Sequence, residues 1–384
     1  MLNRFLSTRQ AARGSVSQPD LYLLGAALAL AGLGWVMVGS ASLAIADGPR
    51  FLWRQGIFLL MGLAAAFVVW RIRLIFWERF GPVLLLFGLG LLLLVLIPGI
   101  GVEANGSRRW LAIGPISLQP SELVKLFMVV YFSGYLVRRS YEVRTTVRGF
   151  LFPVGVLTLV GLLLLLEPDF GAVVILFATM LGMLFLGGAR LWYFVLLAAI
   201  GGVGLAALAW GSPYRMERLT SFLDPWSDPL DSGYQLTQAL IAFGRGEWFG
   251  VGLGNSIQKL FYLPEAHTDF LYAVLAEELG LVGSLAVIAL FTVLVYRALL
   301  IGRAAERAGR AFGAYLAYGL GIWIGLQAFI NLGVNMGVLP TKGLTLPLMS
   351  AGGSSIIVTC IAVALILRVD LETRFPKTAR RGSK

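Results

Sequence analysis

Apolar stretches of about twenty residues, repeated along almost the whole chain, constrain this sequence more than any other feature. A helix needs roughly 20 such residues to cross the hydrocarbon core of a bilayer. Ten stretches qualify, at about 21–44, 51–70, 81–98, 121–137, 150–166, 169–188, 190–210, 271–297, 312–335 and 347–368. In lipid every backbone N–H and C=O must find its partner within the protein, which leaves helices or closed barrels. Runs this long, without strict alternation, are helical. The expected fold class is an all-α polytopic membrane protein with about ten transmembrane helices. Composition agrees, because only 13% of the residues are charged, against roughly a quarter in soluble domains.

A net charge of +11 raises nucleic-acid binding, but the charge is distributed otherwise. Most Lys and Arg residues fall in alternate connections, at 1–20, 71–80, 138–149, 189–191, 297–311 and 368–384. By the positive-inside rule these are cytoplasmic. The expectation is a cytoplasmic tail at 1–20, one transmembrane domain over 21–370 and a basic cytoplasmic tail at 371–384, with no nucleic-acid partner. Ala44-Ile45-Ala46 is faintly like a cleavage site, yet the preceding apolar run is too long for a signal peptide, so it is a retained anchor. Cys360, the only cysteine, excludes a disulfide and a cysteine metal cage within the chain.

The outward connections are 45–50, 99–120, 167–168, 211–270 and 336–346. Two of these are too long to be simple connectors. In 211–270, the run Leu236–Phe243 is amphipathic and Gly244–Gly254 is glycine-rich. Short interfacial helices around a flexible glycine hinge are expected there.

Candidate chemistry concentrates where the 211–270 loop enters a helix, at Tyr262–Gly280. Asp269 is either a first-turn acid favoured by the helix dipole or a catalytic base. His267, the only histidine, has no companion for zinc and orients the loop. Glu265 and Asp269 together are candidate oxygen ligands for a hard divalent cation, Mg²⁺ or Mn²⁺. Glu277 and Glu278, further into the helix, belong to a polar network of the bundle. Glu122 and Lys125 are three residues apart on one helical face in an apolar span: either an ordinary ion pair or an inward-facing functional one. Arg108, Arg109, Arg215, Arg218 and Lys342 lie on the outer side, where cations are disfavoured; they face either membrane lipid headgroups or a bound pyrophosphate. Ser354, in Gly352-Gly353-Ser354-Ser355, offers a hydroxyl where the last helix opens. Glu167-Pro168-Asp169 has the look of a solvated turn or a polar site. No nucleotide-binding or HExxH motif is present.

Together, Gln119-Pro-Ser-Glu122, Ser232-Gly-Tyr-Gln-Leu-Thr-Gln238, Leu263-Pro-Glu-Ala-His-Thr-Asp-Phe270, Ala276-Glu-Glu-Leu-Gly280, Gly337-Val-Leu-Pro-Thr-Lys-Gly-Leu-Thr-Leu-Pro-Leu348 and Gly352-Gly-Ser-Ser355 resemble the SEDS family (shape, elongation, division and sporulation), in its cell-division branch. The resemblance runs from the first helix to Arg374, with Ala351 standing where the family usually has tyrosine. It implies a peptidoglycan glycosyltransferase of the bacterial inner membrane at the division septum, polymerising lipid II with Asp269 as the essential acid and Glu122 and Lys125 in support. The partners it implies are a class B penicillin-binding protein transpeptidase (FtsI-like) and the FtsQ–FtsB–FtsL complex. The alternatives are a lipid II flippase, which should carry a polar pathway at the midplane, and a scaffold, which would need neither Asp269 nor Glu122.

Overall fold

The apolar runs fold as long helices packed side by side, in a computed structural model that describes residues 19–42, 48–104, 107–114, 116–199, 224–231, 233–260, 262–340 and 343–375. In chain order the helices are α1 (Leu21–Ala41), α2 (Gly48–Arg71), α3 (Leu74–Leu96), α4 (Pro120–Arg138), α5 (Ser140–Thr145), α6 (Val147–Leu166), α7 (Phe170–Leu186), α8 (Tyr234–Gly246), α9 (Leu271–Arg307), α10 (Ala311–Asn335) and α11 (Gly353–Arg374). Residues 191–199 are also helical. The remainder of the span expected at 190–210 lies outside the described residues, as do Arg215, Arg218, Lys342 and most of both tails. Among the described residues eight helices are long and apolar enough to cross a membrane, while α7 has 17 residues.

Burial sorts these helices into layers. The side chains of α4, α10 and α11 are buried along most of their lengths. Around them, α2 and α3 expose Leu60, Phe67, Leu86 and Phe87, as helices facing lipid do. Helix α11 packs on α2, α9 on α10, and α4 on α3. Side-chain caps define several starts: Asp20 accepts from Leu23 N at 2.9 Å, Thr146 from Gly149 N at 3.1 Å and Asp169 from Ala172 N at 3.1 Å. Asp20 also pairs with Arg297 of α9 and, at 3.4 Å, with Arg374 at the end of α11.

Two helix starts are corrected. Helix α3 begins at Leu74, well before 81, because Leu74 and Trp77 are buried and carry the helix through Pro82 at the loss of one backbone hydrogen bond. Helix α11 begins at Gly353 rather than 347, since residues 343–352 run extended into a turn across the bundle's end. The all-α class holds, but the 99–120 connection is not a plain loop: it holds an antiparallel sheet of β1 (Gly101–Ala104), β2 (Ser107–Ile113) and β3 (Ile116–Leu118), in the order β1-β2-β3. Two-residue alternation in the short β2 was too brief to stand out beside the apolar runs.

Helix α9 is interrupted at Gly280, which has φ 67° and ψ −163°. The break frees backbone groups that membrane protein cannot leave unpaired, and the glycine-rich segment takes them. Leu281 N donates to Glu247 O (2.9 Å), Val282 N to Trp248 O (3.1 Å), Val251 N to Glu277 O (2.9 Å) and Gly252 N to Glu278 O (3.1 Å). A Cβ on Gly250 would stand 2.1 Å from Glu278 O. The glycines therefore permit close backbone docking and are not the flexible hinge expected from the sequence.

Candidate active site

One end of the bundle brings together the sheet and the starts of α4, α7, α9 and α11. Alternation along β2 sends Arg108 and Arg109 to opposite faces. Arg109 donates from Nε to Glu167 O (3.0 Å) and from Nη2 to Pro168 O (2.6 Å), which binds the sheet to the α6–α7 turn. Arg108 turns away to an exposed pair with Glu103 at 3.2 Å. Ser354 accepts from Gln119 N (2.9 Å) and donates to Ser117 O (3.3 Å), tying α11 to the entrance of α4. The Gln119 side chain then reaches Asp169 Oδ2 at 3.4 Å.

Asp269 sits two residues before α9, half-buried by surface. Its carbonyl accepts from Asn331 Nδ2 and Asn335 Nδ2, both at 2.9 Å. Its carboxylate faces the 343–352 segment so closely that a Cβ on Gly343 would lie 3.2 Å from Oδ2. Partial burial of the carboxylate and the charge of Glu265 push its pKa up to about 7 against the pull of Arg109, with Asp169 adding to the rise.

Glu265 is exposed, has φ 55°, and accepts from Thr268 Oγ1 at 2.7 Å. His267 packs edge-on to Phe51, ring centroids 4.9 Å apart, and burial lowers its pKa although Glu265 opposes this. The imidazole is therefore neutral at pH 7. The His267 carbonyl accepts from Ala351 N at 2.9 Å, so the turn at Ala351 is held by main chain. Ser350 Oγ likewise donates to Thr268 O at 2.5 Å.

Glu122 and Lys125 do not line this mouth. They form an ion pair of 2.9 Å with both residues buried, and Lys125 also donates to Gln327 Oε1 at 2.9 Å beneath the Trp323 ring. Glu277 and Glu278 hold the segment that follows α8. Glu277 accepts from Arg245 (2.7 Å), Ser256 Oγ and Ile257 N (3.0 Å), and Glu278 from Lys259 (2.7 Å) and Ser40 (2.7 Å).

The structure thus assembles Asp269, Glu265, His267, Arg109 and Ser354, buries Glu122 and Lys125 behind them, and leaves Arg108 apart. Of the two readings of the Glu167 turn, the solvated one fails: Glu167 is fully buried, and neither carboxyl oxygen has a hydrogen-bond partner. Desolvation and Asp169 raise its pKa to about 8, with Arg109 opposing. Sequence reasoning missed the polar set Gln327, Asn331 and Asn335, whose four-residue spacing in an apolar span was the available signal.

Fold and site define a multi-pass helical membrane protein with an acid-rich site at one end of its bundle. The family model described as "Cell cycle protein" (FtsW, RodA, SpoVE) matches residues 21–375, and the chain belongs to this family. It is 83% identical, over the full length of both chains, to a probable peptidoglycan glycosyltransferase FtsW of Nitrosococcus halophilus. It is 59% identical to the similarly named protein of Thioalkalivibrio sulfidiphilus, over 92% of this chain and 90% of that one. Among solved structures, it resembles a chain from a peptidoglycan synthase complex that coordinates polymerization and crosslinking, with TM-score 0.78, 31% identity and coverage of 93% and 98%. The rod shape determining protein RodA of Thermus thermophilus is similar at TM-score 0.68 and 30% identity, covering 93% of this chain and 98% of that one.

Proposed function

We propose that Asp269 is the general base of lipid II polymerisation on the outer face of the bacterial inner membrane, at the division septum. That the chain is a peptidoglycan glycosyltransferase follows from its family and its full-length relatives. What supports the role of Asp269 is its partly buried carboxylate, with a pKa raised to about 7, facing the backbone of Gly343. A base is most effective when its pKa lies near the working pH.

In this reading the GlcNAc 4-hydroxyl attacks the anomeric carbon of the donor MurNAc. Its proton passes to Asp269, the bond to the pyrophosphate oxygen breaks, and the α-linked donor becomes a β-1,4 product. Undecaprenyl pyrophosphate leaves with the bonding pair, and Arg109 is the described cation beside the acid cluster available to offset its charge. Arg215, Arg218 and Lys342 remain proposals for the same task.

Among the described residues no group of three or more His, Cys, Asp or Glu side chains could hold a metal ion. Asp269 and Glu265 alone do not make a cage. A divalent ion would depend on substrate phosphates and water for most of its ligands, as Mg²⁺ commonly does. The crosslinking partner we propose is a class B penicillin-binding protein transpeptidase (FtsI-like), with FtsQ–FtsB–FtsL as activator and both termini cytoplasmic. The test is glycan synthesis from lipid II by the purified chain with its transpeptidase. Asp269→Asn should abolish polymer while the complex stays intact, and undiminished polymer would refute the assignment.

A further inference from the structure

Three amides stand four residues apart on one face of α10: Gln327, Asn331 and Asn335, which are 1%, 2% and 0% exposed. Buried amides are costly unless each end is paired, and each of these bridges two elements. Gln327 Oε1 accepts from Lys125 Nζ (2.9 Å) and Trp323 Nε1 (3.0 Å), while its Nε2 donates to Thr345 O (3.0 Å). Asn331 Nδ2 donates to Asp269 O (2.9 Å) and to Leu344 O (2.5 Å). Asn335 Nδ2 donates to Asp269 O (2.9 Å), and its Oδ1 accepts from Ala273 N (3.1 Å) in the first turn of α9.

Leu344 follows Gly343, the residue whose backbone faces Asp269 Oδ2. Asn331 therefore sets the separation between the main chain of Asp269 and the strand opposite its carboxylate. Asn335 sets the orientation in which that residue enters α9. Gln327 holds the same strand one residue further on and connects it to Lys125. Lys125 itself is 2% exposed and closed in by Glu122, Gln327 and the Trp323 ring, so its ammonium has no open face for a substrate.

We propose that Gln327, Asn331 and Asn335 are positioning residues for Asp269, and that the buried Glu122–Lys125 pair serves the reaction through them rather than by touching substrate. This rests on the reading of Asp269 as the base. Reactive groups displaced by about 1 Å lose on the order of a hundredfold in rate, so the ladder should govern turnover more than substrate affinity.

The experiment measures lipid II polymerisation by the full chain in complex with its transpeptidase, giving kcat, KM, the pH profile and the thermal midpoint for each variant. Asn331→Leu removes both donor bonds at similar volume. Gln327→Glu keeps an acceptor for Lys125 and Trp323 but turns an oxygen toward Thr345 O. Both should lower kcat by about ten- to a hundredfold with KM within about threefold. In Asn331→Leu the acid limb of the pH profile should stay in place, because Asn331 donates to main-chain carbonyls and not to the carboxylate. Asn331→Ser, which restores a hydroxyl donor, should recover part of the rate. Wild-type kcat in Gln327→Glu or Asn331→Leu overturns the inference, as does a rate loss that tracks the thermal midpoint and is not relieved by serine. Asp269→Ala in parallel separates the two readings. If it polymerises normally the base assignment fails and the inference with it; if it is inactive while the ladder variants are not, the inference alone fails.

Discussion

Lys259 and Glu278 face each other at 2.7 Å with 2% and 0% of their side chains exposed, joining the segment after α8 to the N-terminal part of α9. Removing one partner of a buried pair leaves an uncompensated charge. Lys259→Met should therefore destabilise the protein by about 3–5 kcal/mol, read as a lowered thermal midpoint in detergent. A double-mutant cycle with Glu278→Gln should show strong coupling, and additive effects would refute the pairing.

The two adjacent arginines should behave differently. Arg108 makes only an exposed pair with Glu103, worth about 0–1 kcal/mol, whereas Arg109 clasps two carbonyls of the α6–α7 turn. Arg108→Ala should polymerise lipid II at close to the wild-type rate. Arg109→Ala should lose most of its activity, and equal effects would count against the divergence in β2.

Rate should depend on pH through Asp269. A base must be unprotonated, so kcat/KM should rise with pH and level off above about 7, where the carboxyl has lost its proton. An acid limb near the usual 3.8 for aspartate would remove Asp269 from that role.

Glu167 makes a prediction about stability. Its pKa is raised from 4.5 to about 8, so the folded state retains a proton that the unfolded chain has released. Stability should then decline as pH climbs between these values. Glu167→Gln should flatten that decline in thermal melts from pH 5 to about 8.5, and an unchanged slope would show the carboxyl to be solvated.

The close docking at the α9 break leaves no room for a side chain. Gly250 has φ 81° and a Cβ there would sit 2.1 Å from Glu278 O. Gly250→Ala should cost more than about 1 kcal/mol, with Gly254→Ala, which meets nothing within 4 Å, a milder control. Equal melting temperatures would place the strain elsewhere.

How much was legible in the sequence differs by element. Spanning helices were, because twenty apolar residues have few other uses. Asp269 stood out because an acid where a polar loop meets an apolar helix is conspicuous. Arg109 could not be separated from Arg108, since their divergence depends on a three-stranded sheet. Glu122 and Lys125 were correctly placed on one face, yet which residues covered that face depended on Gln327 and Trp323, two hundred positions away. The glycine run looked flexible because its partner, the backbone freed at Gly280, is set by tertiary contact alone.

Asp20, holding Arg297 and Arg374, joins the first described helix to the last. The bundle is in this sense a closed ring, with the start of α1 beside the end of α11. Any single factor docking at that end would meet the first and the last described helix at once, and would sense a change in either through the Asp20 carboxylate they share.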